Sequence, residues 1–322
     1  MYIYIDQNKW IDFGRALLGR PEGKKFTDVA NKIVKKTESD EWILPISIVH
    51  LMETLDNSDP DRKKRFSEIL IKHSKVNTMC SYQKIEKFEY ANALLRIVGK
   101  EEPIEQYLFK KSIYHLIDLS LEEISVNAKD EKLKDAVQQL LISHEESADY
   151  LLQLINSQAY SDLRDQGRLE WTQSAIESEK MRQELFNNIK DDVQRYRHLV
   201  ASEYEQKRRL YQEFIWSKIK SKGVTSQDIE KIIEYIPNNF DAFLESIPSL
   251  YIRGRLMFQR FKDQAKPIHR NDVKDTAFLC TAIPYCEIVV TENSWVDYIK
   301  REKLDIKYNT KVFTDLNELL NE

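Results

Sequence analysis

The chain opens with Tyr2-Ile3-Tyr4-Ile5, aromatic and β-branched without a polar break, the pattern of a strand buried on both faces. The polar cluster Asp6-Gln7-Asn8 ends that run, and KWIDFGRALL continues with apolar residues at helical spacing. A second helix is expected from Asp28 to Lys36. After it comes the short apolar run WILPI, which Pro45 confines to an edge or a strand end. Ser47 is placed to cap the helix IVHLMETL, where His50 and Glu53 stand three apart and share a face.

From about Asp59 to Pro248 the pattern changes. Strand signals nearly vanish, and apolar residues recur at three- and four-residue intervals between charges. EQYLFKKSIYHLIDLSLEEI and KLKDAVQQLLISHEESADYLLQLI predict amphipathic helices. The run from Arg168 to Ile219 has no Pro or Gly and predicts one very long helix. Thr225 and Ser226 cap a shorter one, and Pro237 marks a turn.

Alternation returns after Pro267. Asn271 or Asp272 caps the helix VKDTAFLCTAI, Pro284 ends it, and CEIVVT reads as a buried strand stopping at Thr291-Glu292. A helix from Glu292 to Lys300, a strand at 311–313 and a helix in DLNELL close the chain. The simplest assembly is one α/β domain made of both termini, residues 1–60 and 250–322, with residues 61–249 as a large all-α insertion.

Composition narrows the picture. Of 322 residues, 42% are hydrophobic and 32% charged, with 7 Gly and 8 Pro, which fits a globular chain with much exposed helix. The net charge of −4 provides no global attraction to nucleic acid, so a polyanion needs a local basic patch. Three cysteines without a CxxC pair argue against a zinc or disulfide framework and for a reducing, cytoplasmic setting. No membrane contact is expected, since no apolar run approaches the ~20 residues of a span. No Gly-rich phosphate loop occurs, which disfavours nucleotide-driven chemistry.

The acids at strand ends and helix starts carry the chemistry: Asp6, Glu53, Asp272, Asp275 and Glu292. Carboxylates gathered in one cleft repel each other and call for a cation, and an all-oxygen donor set suits Mg²⁺ or Mn²⁺. Such ions activate water and stabilise a leaving oxygen, which implies phosphodiester hydrolysis. YIDQN at 4–8, the Pro-Ile-Ser approach to the helix bearing Glu53, NDVKD before an apolar helix, and VVTEN at 289–293 together resemble the PIN-like nuclease domain. The likeness covers roughly the first 60 and last 70 residues. It implies a three-layer α/β/α fold with a small parallel sheet and an acidic metal site. It also implies that Asp6, Glu53, Asp275 and Glu292 are the catalytic, metal-holding set, with Asn8 as companion of Asp6 or contact to substrate. Asp272 and Asp275 compete for one ligand position, and Asp275 lies nearer the family's. Glu292 stands where the family usually has Asp. The resemblance further implies RNA in preference to DNA as substrate, and a role as toxin or defence effector.

The stretch before that helix carries Arg253, Arg255, Arg260, Lys262, Lys266, His269 and Arg270, interleaved with Tyr251, Phe258 and Phe261. Arg255, Arg260 and Arg270 are the expected contacts to a phosphate backbone; the alternative is an amphipathic helix with a solvated basic face. The rival reading of the chain is a non-catalytic scaffold, its long helices mediating a homodimer or binding an inhibitor or antitoxin.

Overall fold

The computed structural model describes residues 1–55, 59–117, 139–156, 177–263 and 269–322. The chain is mostly helical, with a three-stranded parallel sheet and a two-stranded antiparallel one. In the N-terminal third, β1 (Ile3–Ile5) leads to α1 (Gln7–Leu17), α2 (Thr27–Glu38), α3 (Ile48–Leu55) and α4 (Pro60–Ser74), then β2 (Asn77–Met79), α5 (Tyr82–Ile97) and β3 (Phe109–Lys111). The middle holds α6 (Ala148–Asn156), α7 (Asp192–Leu210), α8 (Gln212–Ser221), α9 (Ser226–Asn238) and α10 (Phe240–Glu245). The last part comprises α11 (Pro248–Lys262), α12 (Arg270–Tyr285), β4 (Ile288–Val290), α13 (Asn293–Arg301), α14 (Leu304–Tyr308) and β5 (Lys311–Phe313).

The parallel sheet is ordered β1-β4-β5, with Ile3 opposite Ile288, Ile5 opposite Val290, and Val290 opposite Phe313. The two chain ends therefore meet in one sheet, as the alternation at both termini predicts. All three residues of β1 and of β4 are buried. Alternate side chains enter two cores: Ile3, Ile5, Ile288 and Val290 join Trp10, Phe13 and Ile33, while Tyr4, Val289 and Val312 join Phe278, Leu279 and Ile299. Helices α1 and α2 thus cover one face, and α12 and α13 the other.

Of the two places that Pro45 allows the WILPI run, an edge or a strand end, it does not take the edge. Ile43 pairs in parallel with Tyr2, and Ile46 with Thr78, so the segment lies between β1 and β2. Ile3 N–H donates to Ile43 O at 2.9 Å, and Met79 N–H to Ile46 O at 2.8 Å. Pro45 falls between the two bridges, where its missing N–H stops either ladder from extending. β2 and β3 lie inside the stretch read as all-helical. β3 is the FKK of a predicted amphipathic helix, and its three-residue length left no period to detect.

The very long helix is also not found. Helix occupies 177–188, then breaks, and Asp191 starts α7 by accepting Gln194 N–H at 2.8 Å. A second break at Tyr211 separates α7 from α8. Side-chain caps and a buried tyrosine end these helices without Pro or Gly, which is why the composition gave no warning. Pro237 and Pro284 sit inside the last turns of α9 and α12 rather than beyond them. The start of the long run and residues 118–138 lie outside the described residues. Among the described residues no helix is long and apolar enough to cross a membrane.

Candidate acidic site at the sheet end

β1 and β4 stop side by side. Asp6 N–H donates to Val290 O at 2.9 Å, carrying the β1–β4 pairing one residue past the strand, and Thr291 N–H donates to Phe313 O at 3.0 Å. Each strand is followed at once by a helix, so Asp6 and Glu292 occupy the N-cap positions of α1 and α13. Neither side chain makes a capping hydrogen bond. Two helix N-termini, each with a positive dipole end, therefore open on the place where the two acids stand.

Around them the partners are specific. Thr291 Oγ1, fully buried, lies 3.3 Å from Asp6 Oδ2. Asn8 Nδ2 donates to Glu292 Oε1 at 2.7 Å. Gln7 Nε2 donates to Thr54 Oγ1 at 3.1 Å, which ties α1 to the residue next to Glu53 on α3. On α12, Asp275 Oδ2 accepts the indole N–H of Trp295 at 2.9 Å, which ties that helix to α13. Four segments far apart in sequence thus bring Asp6, Glu53, Asp275 and Glu292 to the end of one sheet.

The electrostatics agree with the convergence. Burial, then the Glu292 carboxylate, pushes the Asp6 carboxyl up to about 6. Burial, then Asp6, with smaller contributions from Glu53 and Glu292, pushes Asp275 to about 8. Both acids hold their protons more tightly than a solvated carboxyl because charging them places like charges together in a desolvated pocket.

Asp272 has another task. Its Oδ2 accepts the His269 backbone N–H at 2.7 Å and the Arg260 guanidinium at 2.8 Å, as the acid of a capping box. Of the two competing aspartates, Asp272 caps the helix and Asp275 faces the other acids. His50 is equally committed. It is 1% exposed; Nδ1 accepts Ser47 N–H at 3.0 Å and Nε2 lies 2.7 Å from Ile5 O. Burial pushes its pKa down to about 4, so the neutral ring clips α3 to the end of β1.

The arginines at 253, 255 and 260 do not form the solvated face that the sequence suggested, whereas Lys262 and His269 are exposed. Arg260 is 4% exposed and bound to Asp272, and Arg253 is also buried. Arg255 lies over the Tyr196 ring, 3.9 Å from its centroid, and pairs with Glu302 at 3.4 Å. Lys266 and the side chain of Arg270 lie outside the described residues. Sequence reasoning puts Trp295 at the site rim and Thr291 at the strand end but misses their bonds to Asp275 and Asp6, and it misses Thr54, because these contacts come from the register between distant segments.

The donor set, four carboxylates with the nearby Gln7 amide oxygen buried and without a partner among the described residues, suits a hard divalent cation. Among the described residues no three acidic, histidine or cysteine side chains are drawn close enough to hold one metal ion in the arrangement seen. No family model, curated protein or solved structure matches the chain.

Proposed function

We propose that this chain is a PIN-like, Mg²⁺- or Mn²⁺-dependent nuclease that hydrolyses phosphodiester bonds, with RNA preferred to DNA. The observation that carries the reading is topological. Counting the Ile43–Ile46 bridges as a strand, the order across the molecule is β2, 43–46, β1, β4, β5. The chain moves outward in one direction from β1 and in the other from β4, so a switch point lies between them. In open α/β sheets, ligands bind beyond the strand C-termini at that point, where Asp6 and Glu292 stand. Helices on both faces of the sheet fit the layered fold of the family.

Asp6, Glu53, Asp275 and Glu292 would hold the metal. When bound, it would polarise a phosphoryl oxygen and acidify a water. The chain's own residues orient this set: Asn8 holds Glu292, Thr291 and the start of α1 hold Asp6, and Trp295 fixes Asp275. Asn8 is thereby read as a positioning residue rather than a substrate contact. Burial raises the pKa of Asp6 and Asp275 most, and the repulsion between acids that adds to it is what a divalent cation would relieve.

The test combines binding and activity. Calorimetric titration with Mn²⁺ should give a saturable heat that Asp6→Asn removes, and the wild type should cut single-stranded RNA where that variant does not. Equal cutting by Asp6→Asn, folded by circular dichroism, would falsify the assignment.

A further inference from the structure

A second feature of α1 lies at its other end. Between α1 and α4 is a cleft of about 310 Å³ lined by Arg15, Arg20, Arg62 and Arg65 above an apolar floor that includes Ile11 and Phe66. Among the described residues, two carboxylates, Glu22 and Asp59, share the lining. In a chain of net charge −4, this is a local reversal of sign.

Of the four arginines, Arg15 alone is matched by a carboxylate among the described residues. α1 ends in a Schellman motif: Gly19 N–H donates to Ala16 O at 3.1 Å and Arg20 N–H to Arg15 O at 2.9 Å, with Gly19 at φ 63°. The following loop is pinned against that end. A Cβ on Gly23 would stand 2.3 Å from Ala16 N, so the position admits only glycine and fixes where Arg20 projects. Arg15 pairs with Asp12 at 3.0 Å. Asp59 caps α4 by accepting the Asp61 and Arg62 backbone N–H groups at 3.0 and 3.1 Å. Among the described residues, no carboxylate pairs with the side chains of Arg20, Arg62 or Arg65.

The placement of Arg62 and Arg65 is unfavourable for α4 itself. Arg62, Lys63, Lys64 and Arg65 are four consecutive cations in its first two turns, where the helix dipole repels positive charge and favours acids. Neither packing nor pairing explains that run. An anion seated in the cleft would, because it would meet the guanidinium forks.

We propose that this cleft is a phosphate subsite for the nucleic-acid strand whose scissile bond lies at the acids. The idea rests on the nuclease reading and adds a place where substrate is gripped away from the chemistry. Asp6 and the Arg15–Leu18 end of α1 lie about 14–18 Å apart along the helix axis at 1.5 Å per residue. That is about four or five nucleotides at 3.4 Å each along one strand.

The test measures binding of a labelled single-stranded RNA by fluorescence anisotropy across a salt series, in the Asp6→Asn background so that nothing is cut. Adding Arg62→Glu and Arg65→Glu should weaken binding about tenfold or more and flatten the logarithmic salt slope by about 0.7 per lost phosphate contact. Arg62→Lys with Arg65→Lys should keep the slope and lose only part of the affinity. Arg20→Ala gives an independent arm outside α4. Unchanged affinity and slope in the charge-reversed protein overturn the subsite and leave the nuclease reading standing. Arginine-dependent binding by a protein whose wild type does not cut with Mn²⁺ supports the subsite and overturns the nuclease reading. Absence of RNA binding to the Asp6→Asn parent overturns both.

Discussion

Two regions of this molecule bury carboxylates, and they treat them in opposite ways. In the helical middle, Glu203 is enclosed by its own bases: Arg182 lies 3.1 Å from it, and Arg253 Nε 2.8 Å away, although off line for a hydrogen bond. Glu179 meets both arginines, at 3.3 and 3.0 Å, and Glu86 accepts Lys207 and the Tyr211 hydroxyl, each at 2.6 Å. Burial pushes Glu203 up, but Arg253, Arg182 and Lys207 more than offset it and hold it at about 2. At the sheet end Lys9 only partly offsets burial and the Glu292 charge at Asp6, and Asp6 and Asp275 rise to about 6 and about 8.

The contrast separates structure from chemistry. A buried acid matched by arginine is complete within the chain and stays charged, whatever is in solution. Asp6 and Asp275, whose pKa is raised by burial and then by neighbouring acids, instead take up a proton or a cation from outside. One buried acid of the middle stands between these cases. Glu89 has hydrogen bonds from Ser249 N–H at 2.8 Å and Tyr285 at 2.5 Å in place of a base, and burial pushes it to about 7. It sits where α5, α11 and α12 join, so it fastens the middle to the α/β part.

The largest expected effect is in the middle. Arg253→Met removes the base shared by Glu179 and Glu203, and leaving such acids underpaired costs about 3–5 kcal/mol. Chemical denaturation should show that loss. A variant as stable as wild type would break the comparison, because the network would then not be holding the helices.

Next comes Asp275→Asn, where stability and activity should part. The folded pKa of about 8 exceeds the unfolded value of 3.8, so the native state binds the extra proton between them. For metal-free protein, this group's contribution is therefore full below about pH 4 and is lost as pH rises to about 8. Asn removes that slope, so above pH 8 the variant should melt higher than wild type while cutting no RNA. Mn²⁺ should flatten the same slope in wild type only. A variant less stable at every pH would show that the carboxylate is structural, like Glu203.

Much of the parallel sheet was legible, because YIYI and the IVV of CEIVVT are unbroken apolar runs that suit a buried strand. The acids were legible for the same reason: Asp6 and Glu292 are the first charged residues after those runs. What the sequence hid depends on contacts between distant segments. The bridges at Ile43 and Ile46 are too short for a period, and β3 is three residues within a helical pattern. Arg260 and Arg253 looked solvated because an arginine's sequence context does not reveal a buried partner such as Asp272 or Glu203. The α1–α4 arginines passed unnoticed because Arg15 and Arg20 are separated from Arg62 and Arg65 by more than forty positions.

The smallest effect tests a group that crosses the two categories. His50 touches the acid site through Ile5 and α3, yet its hydrogen bonds are all internal, as in the helical network. Its folded pKa of about 4 lies below the unfolded 6.5, so its contribution is complete above about pH 6.5 and is lost as pH falls through about 4. This slope runs opposite to that of Asp275. His50→Gln keeps a donor for Ile5 O but cannot hold both ends of the clip. A cost of about 1–2 kcal/mol at neutral pH follows from one underpaired buried group. The acid-side slope should shrink rather than vanish, since burial also pushes His73 and His115 down to about 4. RNA cutting should persist in proportion to the folded fraction. A folded His50→Gln that cuts nothing would move His50 from the clip into the chemistry.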